Sequence, residues 1–314
     1  MVAAIELGGA TAVLARDLES LEASVEPGAN GASLPFRFVV FGFDGQGATL
    51  RRLCASLRAG AQLIAVVPKT TLAVTIELLA ETRCNHVVLA DAEGLATTSV
   101  TIRKFVTGDL FGIEKYLPAE TPVQLTRLRD YKGRTAAIDE VVGYAEKIGV
   151  RSKIRLAIAQ VCEELLMNAL YDAPADESGT PVFAEVELKA RLERLSPRPV
   201  SIRYAATETG FAVSVRDRFG RLDKATVVRY IDKCLHSPQQ IDRKMYGAGL
   251  GIYLIANAAT QFVLNVAPGM ATEVVCTFDR KGAKSAMRAI SVFVYPNTTN
   301  ATPVTVSSSA KRAG

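Results

Sequence analysis

Three polar side chains recur at helical spacing in an otherwise apolar segment of the chain. Glu164, Asn168 and Asp172 follow one another at intervals of four residues, so they lie on one face of the helix that this segment predicts. Burying such a stripe without partners costs free energy. The stripe is therefore either the solvent face of an ordinary helix or one wall of a polar site, and the spacing alone leaves both interpretations open.

A carboxylate and a glycine-rich loop further along the chain could complete a site with this helix. Asp217 follows a predicted strand and precedes a turn at Gly220, where a carboxylate can accept a hydrogen bond from an exocyclic amine. Three glycines then alternate with other residues ahead of a predicted helix, at Gly247, Gly249 and Gly251. Their backbone N–H groups could hold a phosphate, although the same pattern also occurs in simple tight turns.

The fourth piece of this series is a turn at Pro268-Gly269 that leads through Thr272 into the predicted strand Val274–Phe278. Taken in order, the four pieces resemble the GHKL ATPase superfamily, which includes gyrase-type ATPases, histidine kinases and anti-sigma-factor serine kinases. The resemblance covers roughly Val123–Asp279. It implies ATP or ADP, together with Mg²⁺, as the cofactors of this half of the chain.

The resemblance also implies a role for each matching residue. Glu164 would be the general base and Asn168 a metal ligand, while Asp217 would bind the adenine amine beside Thr272. The chemistry agrees, because Mg²⁺ prefers oxygen ligands and a Glu one helical turn away is placed to take a proton from water or a hydroxyl. The further residues assigned to nucleotide binding are Asp172, Gly220, Arg243, Lys244, Gly247, Gly249, Leu250 and Gly251.

A lid is predicted between the turn and the glycine loop. The segment Arg221–Tyr246 carries several cations, and either Arg243 or Lys244 near its end could contact the terminal phosphate. We expect nucleotide binding to order this segment, because long cationic side chains without a fixed partner lose entropy when they are held in place.

The sequence departs from the GHKL pattern at several positions, and these departures indicate which branch of the superfamily it resembles. The common Asp-x-Gly-x-Gly turn is replaced by Asp217-Arg-Phe-Gly220-Arg221, and Asp172 stands where the anti-sigma kinases usually have His. Neither His86 nor His236 is followed by the acidic residue and Pro of a sensor-kinase phosphoacceptor. The compact order of elements is similar to the anti-sigma serine kinase branch, and an autophosphorylating histidine kinase is not expected.

The leading interpretation is a bacterial cytoplasmic signalling protein that binds ATP and Mg²⁺ and regulates a partner protein, as an anti-sigma-type serine/threonine kinase does. The partner would be of the sigma-factor or anti-sigma-antagonist type, and the pattern allows a homodimer. The alternative is a non-catalytic interaction module in which nucleotide creates a binding surface. ATP hydrolysis that drives dimerisation, as in the gyrase branch, ranks last because the chain has no evident transducer domain.

The first half of the chain predicts an α/β domain with a parallel sheet, since short Val-rich strands alternate with helices. The order of these elements resembles a receiver domain, with Asp17 and Asp44 in the places of its acidic residues. The Lys that would stabilise an aspartyl phosphate is missing at Leu89-Ala90-Asp91. We therefore expect a degenerate receiver-like domain that serves packing or protein contact and is not phosphorylated.

The Pro-containing junction Leu117–Pro122 predicts the domain boundary. Residues 1–118 would form the receiver-like α/β domain, and residues 119–296 an α+β two-layer sandwich with the histidine-kinase-like ATPase fold. Ala289–Tyr295 predicts a strand at the edge of a sheet, and the Ser/Thr-rich residues 297–314 predict a disordered tail.

Composition excludes several classes of function. The chain has 314 residues, 49% hydrophobic and 22% charged, so it can bury large cores. Its net charge of +5 is spread along the sequence, so nucleic acid is not expected as a partner. Five scattered Cys and two His offer little for a zinc site or a Ser-His-Asp triad. The apolar runs fall short of the roughly 18 residues of a membrane span and the start lacks a signal-peptide pattern, so we expect a soluble cytoplasmic protein.

Overall fold

The computed structural model describes residues 2–10, 19–20, 37–43, 45, 47–57, 60–69, 71–81, 83–176, 178–183, 186, 190, 193–236, 258–280 and 287–295. Asp17 and Asp44, which take the places of the receiver-type acidic residues, and the predicted tail 297–314 lie outside these ranges. No helix within the described ranges is long and apolar enough to cross a membrane.

The first half alternates strands and helices, as the sequence predicts. Thr71 and Asp91 cap the N-termini of two of the helices by accepting hydrogen bonds from Val74 N and Gly94 N, and Gly108 ends the second one with a left-handed φ of 71°. The three strands are parallel and neighbour one another in chain order. The elements are α1 (Val2–Leu7), β1 (Phe38–Gly42), α2 (Gly47–Ser56), β2 (Gln62–Val67), α3 (Leu72–Ala80), β3 (Cys84–Leu89) and α4 (Ala92–Thr107).

The second half is a largely antiparallel sheet with two long helices on one face. A 3-10 helix at Ile113–Tyr116 precedes it. One of its strands, at 261–267, is not predicted by the sequence pattern, because Asn265 interrupts the apolar run and the chain before it reads as a helix. The elements are β4 (Gln124–Leu128), α5 (Tyr131–Lys147), α6 (Ser152–Met167), β5 (Val200–Ala206), β6 (Gly210–Arg216), α7 (Lys224–His236), β7 (Gln261–Ala267), β8 (Ala271–Asp279) and β9 (Ala289–Val294).

The strands of both halves join in a single nine-stranded sheet with the order β1-β2-β3-β9-β7-β8-β6-β5-β4. The expectation that Ala289–Tyr295 adds an edge strand is therefore wrong: β9 lies in the interior of the sheet. It pairs antiparallel with β3 and parallel with β7. Strands that are paired on both sides and covered on both faces have mostly apolar sequences. The sequence of β9, Ala289–Val294, fits this pattern.

Alternate residues of the central strands face two separate cores. On one face, Val213, Leu264 and Cys276 belong to the main core, which also contains apolar residues of α5 and α6. On the other face, Ala212 and Val263 pack with residues of the segment that follows α4, including Ile113. The sheet is thus the middle layer, and the strand period of two divides its side chains between the α6 face and the opposite face.

Candidate functional site

The predicted stripe of Glu164, Asn168 and Asp172 lies on a helix whose geometry changes from α-helical to π-helical at Asn168. The α-helix α6 ends at Met167, and Asn168–Asp172 continue as one π-helical turn. Ala173 N donates to the carbonyl oxygen of Asn168 at 2.8 Å, a spacing of five residues. Single π-turns within or at the end of an α-helix are rare and often occur at functional sites. The stripe is therefore helical, as predicted, and its last turn has π-helical geometry.

A cavity of about 270 Å³ opens between this helix end and the sheet. Four of the predicted site residues, from three separate elements, line it together. Its polar lining among the described residues consists of Asn168, Asp172, Asp217, Arg221, Thr226 and Thr272. Its apolar lining consists of Leu165, Ala169, Ala173, Val215, Leu222 and Val274. An apolar wall with few converging polar groups is the usual composition of a small-molecule site.

Asp217 is the most deeply buried carboxylate of this cavity, with 6% of the residue exposed. Its Oδ1 atom accepts hydrogen bonds from Phe219 N at 2.7 Å, from Gly220 N at 3.2 Å and from Thr272 N at 3.3 Å. Burial raises the pKa of the Asp217 carboxyl, and these backbone N–H groups oppose the shift. Because the described hydrogen bonds all go to Oδ1, the second carboxylate oxygen stays available to a ligand.

Gly220 closes the turn after Asp217 and could not carry a side chain. Its φ is +66°, and a Cβ atom there would collide with the carbonyl oxygen of Ala267 and with the backbone nitrogen of Gly269. The predicted turn at Gly220 is therefore confirmed, and it lets the chain after β6 pack against the turn between β7 and β8. Gly220 is not among the described residues that line the cavity, and its part in nucleotide binding stays a prediction.

Thr272 lies beside Asp217, as predicted. Asp217 N donates to the Thr272 carbonyl oxygen at 2.9 Å. The Thr272 hydroxyl is buried and makes no hydrogen bond of good geometry with the described residues, although it lies close enough to Asp217 to lower that pKa. A buried hydroxyl with an unused donor is costly, and here it belongs to a residue that lines a cavity.

Glu164 lies one turn before Asn168 but is not among the described residues that line the cavity. Burial raises the pKa of its carboxyl, and the negative charge of Asp172 raises it further. The stripe thus divides: Asn168 and Asp172 face the cavity, while Glu164 is half-buried at its margin.

The predicted lid is only partly described. Arg243 and Lys244, with Gly247, Gly249, Leu250 and Gly251, lie outside the described residues. The first part of the predicted lid is the helix α7, and Val227 and Ile231 on it are fully buried. Lys224 Nζ donates to the carbonyl oxygens of Glu81 and Cys84 in the first half. The first part of the predicted lid, Lys224–His236, is therefore a helix packed against the rest of the protein, and the effect of nucleotide on the whole segment stays a prediction.

Arg221, Leu222 and Thr226 also line the cavity, and none of them was predicted as a site residue. Arg221 and Leu222 directly follow the Gly220 turn and Thr226 lies in α7, positions that carry no local signal of a ligand site. Within the described ranges, no group of three or more His, Cys, Asp or Glu side chains could hold a metal ion.

No family model matches this sequence, and no curated protein matches it. Among solved structures, the chain is similar to a chain of the SiaB-SiaC complex from Pseudomonas aeruginosa, with 15% sequence identity and a TM-score of 0.35. The similarity covers 49% of this chain and 88% of that chain. The structure is a mixed α/β protein with a nine-stranded sheet, and the comparison assigns it no activity.

Proposed function

We propose that the chain binds an adenine nucleotide in the cavity beside α6. One observation carries this proposal: Asn168, Asp172, Asp217 and Thr272, which come from three separate segments of the chain, line the same cavity. The adenine amine would donate to the carboxylate oxygen of Asp217 that makes no described hydrogen bond, and the Thr272 hydroxyl would serve a ring nitrogen or a bound water. The aliphatic lining, including Leu165 and Val274, suits the faces of a planar ring.

The same cavity fits a Mg²⁺–nucleotide complex. The amide oxygen of Asn168 is a hard ligand, and Mg²⁺ completes its octahedron with phosphate oxygens and waters. The Asp172 carboxylate lines the cavity one turn further on and would bind a metal-coordinated water. When bound, Mg²⁺ supplies charge neutralisation of the phosphates; the protein supplies one amide ligand and the enclosure of the base.

Glu164 would act as the general base if the chain transfers phosphate to a Ser or Thr of a partner protein. Burial and the neighbouring charge of Asp172 raise its pKa, and a base is most effective when its pKa is near the working pH. On this reading the chain regulates a partner protein as a serine/threonine kinase of the anti-sigma type.

A second candidate function has a specific observation in its favour. Glu164 is absent from the described lining of the cavity, so a bound nucleotide need not contact it. A chain that binds nucleotide without transferring phosphate could still regulate a partner, because the bound state would stabilise the surface around the cavity. The two candidates share the nucleotide site and differ only in turnover.

Calorimetric titration with ATP and Mg²⁺ tests the shared part of the proposal. Asp217→Asn keeps an oxygen for the three backbone N–H groups and replaces the other oxygen by an amide nitrogen that repels the adenine amine. We expect affinity to fall by about 2 kcal/mol with little change in stability. Equal affinity of wild type and variant would remove adenine recognition from Asp217. A phosphate-release or partner-phosphorylation assay then separates the two candidates.

A further inference from the structure

Arg221 differs from the other charged residues around the cavity. It is the only Lys or Arg among the described lining residues, and its side chain makes no hydrogen bond or ion pair with any described residue. Nearby Arg198, by contrast, donates to the carbonyl oxygen of Arg218 at 2.6 Å. Arg221 is therefore the one cationic residue, among those described, at the lining of a cavity that also has two carboxylates.

Hydrogen bonds of the turn 217–220 fix the backbone that leads into Arg221. Asp217 Oδ1 accepts hydrogen bonds from Phe219 N and Gly220 N, and Gly269 N donates to the Gly220 carbonyl oxygen at 3.3 Å. Arg221 follows immediately, at the end of a turn that could tolerate only glycine at the preceding position. The side chain is exposed and long, but its starting point is fixed relative to Asp217.

The positive charge of Arg221 indicates which kind of ligand it could bind. Asp172 and Asp217 would repel a polyphosphate, and Asn168 is neutral, so the described lining offers a single positive charge to an anionic ligand. The planar guanidinium can donate two parallel hydrogen bonds to phosphate oxygens. A neutral nucleoside would need no such partner.

We propose that Arg221 binds the phosphate chain of the nucleotide and thereby makes the site prefer nucleotides over nucleosides. This inference rests on the proposed function. It assigns phosphate recognition to the turn after β6, where the sequence has Arg in place of the second glycine of the common Asp-x-Gly-x-Gly turn. The side chain positions the ligand and takes no part in proton transfer.

The test compares adenosine, ADP and ATP as ligands, with Mg²⁺ present, for the full-length chain and three variants. Arg221→Gln should weaken ADP and ATP binding by about tenfold or more and leave adenosine affinity unchanged. Arg221→Lys should give an intermediate loss, because it keeps the charge and loses the paired donors. Arg218→Gln is the matched control: it removes the same charge from the same turn, and Arg218 is not among the described lining residues.

Two results would overturn the assignment of phosphate binding to Arg221. Equal losses for adenosine and for the nucleotides in Arg221→Gln would mean that Arg221 contacts the base or shapes the cavity, and unchanged affinities would mean that it does not contact the ligand. Either result overturns this inference while the nucleotide site stands. If the wild-type chain binds none of the three ligands, the proposed function fails and the inference fails with it.

Discussion

The two faces of the central sheet bury polar groups in opposite ways. On the α6 face, Asp217 and Thr272 line a cavity and retain hydrogen-bonding capacity that no described residue uses. On the opposite face, Glu273, the next residue after Thr272, accepts hydrogen bonds from Gly112 N at 2.8 Å and from Asn265 Nδ2 at 3.0 Å. The adjacent residues Thr272 and Glu273 thus line a cavity on one face of the sheet and belong to a closed polar cluster on the other.

The closed cluster joins the two halves of the chain. Lys104 of α4 is almost fully buried, and its Nζ donates to Tyr116 Oη at 2.7 Å and to Asn265 Oδ1 at 2.6 Å. Burial lowers the pKa of this ammonium group, and the charge of Glu273 opposes that shift. Nζ also lies 3.5 Å from the ring centroid of Phe293 in β9. Each of these groups has its partners inside the protein, so this cluster supports the fold.

An unpartnered polar atom does not by itself mark a ligand site. Both ring nitrogens of the buried His86 lack hydrogen bonds in the described part of the chain, yet the ring packs between Phe105 and Phe293 at centroid distances of 5.2 and 4.6 Å. Burial lowers the pKa of His86, which keeps the ring neutral and apolar in character. What distinguishes Thr272 is the cavity beside its hydroxyl.

The largest effect is expected on the opposite face. Lys104→Ala removes a buried side chain and deprives Tyr116 Oη and Asn265 Oδ1 of their Lys104 donor, so the free energy of unfolding should fall by about 3–5 kcal/mol. Urea denaturation measures this loss. Lys104→Met keeps most of the packing over Phe293, and its loss should be smaller, near 1–3 kcal/mol. Equal stability of Lys104→Ala and wild type would show that the cluster does not hold the halves together.

A smaller effect is expected on the α6 face, and in ligand binding rather than stability. Asn168→Ala should weaken Mg²⁺-dependent ATP binding roughly tenfold, since it removes an oxygen ligand of the cation. Glu164→Ala should keep that affinity and lose any phosphate transfer. Titrations with and without Mg²⁺, followed by a turnover assay, separate the two roles. Identical behaviour of both variants in both assays would contradict the division of the stripe that the cavity indicates.

The change in binding affinity with pH should be the smallest of these effects. Because burial raises the pKa of Asp217, this carboxyl takes up a proton at a higher pH than an exposed aspartate does. Adenosine binding, which needs the ionised acceptor, should be complete above that pKa and decline as pH falls through it. Protonation of Asp217 in the folded state also favours folding at low pH. Asp217→Asn should bind adenosine weakly and without this pH dependence.

The cavity residues could be predicted from sequence because local signals mark them. The spacing of Asn168 and Asp172 places both on one helix face, and Asp217 follows a strand and precedes a glycine turn. Arg221 has no such signal: a charged residue after a turn usually lies in solvent, and only the packing of Gly220 against the next turn brings it to the cavity.

Most helices and strands were also predictable from the sequence, but the strand pairing that joins the two halves of the chain was not. The position of β9 depends on β3 and β7, and the partner of Lys104 is Asn265, 161 residues away. An apolar strand near the end of a chain suits an edge or an interior position equally well, since its local pattern contains no information about distant neighbours. The domain boundary at residue 118 stays a prediction, and the sheet is continuous across it.

Paired variants of Asp217, on the α6 face of the central sheet, and Glu273, on the opposite face, test the claim that the two faces separate ligand binding from stability. ATP affinity in the presence of Mg²⁺ and the urea unfolding free energy are measured for Asp217→Asn and Glu273→Gln. We expect Asp217→Asn to lose about 2 kcal/mol of binding free energy with little loss of stability, and Glu273→Gln to lose about 1–3 kcal/mol of stability with unchanged affinity. Equal effects of the two substitutions on affinity, or a reversal of their roles, would contradict the claim.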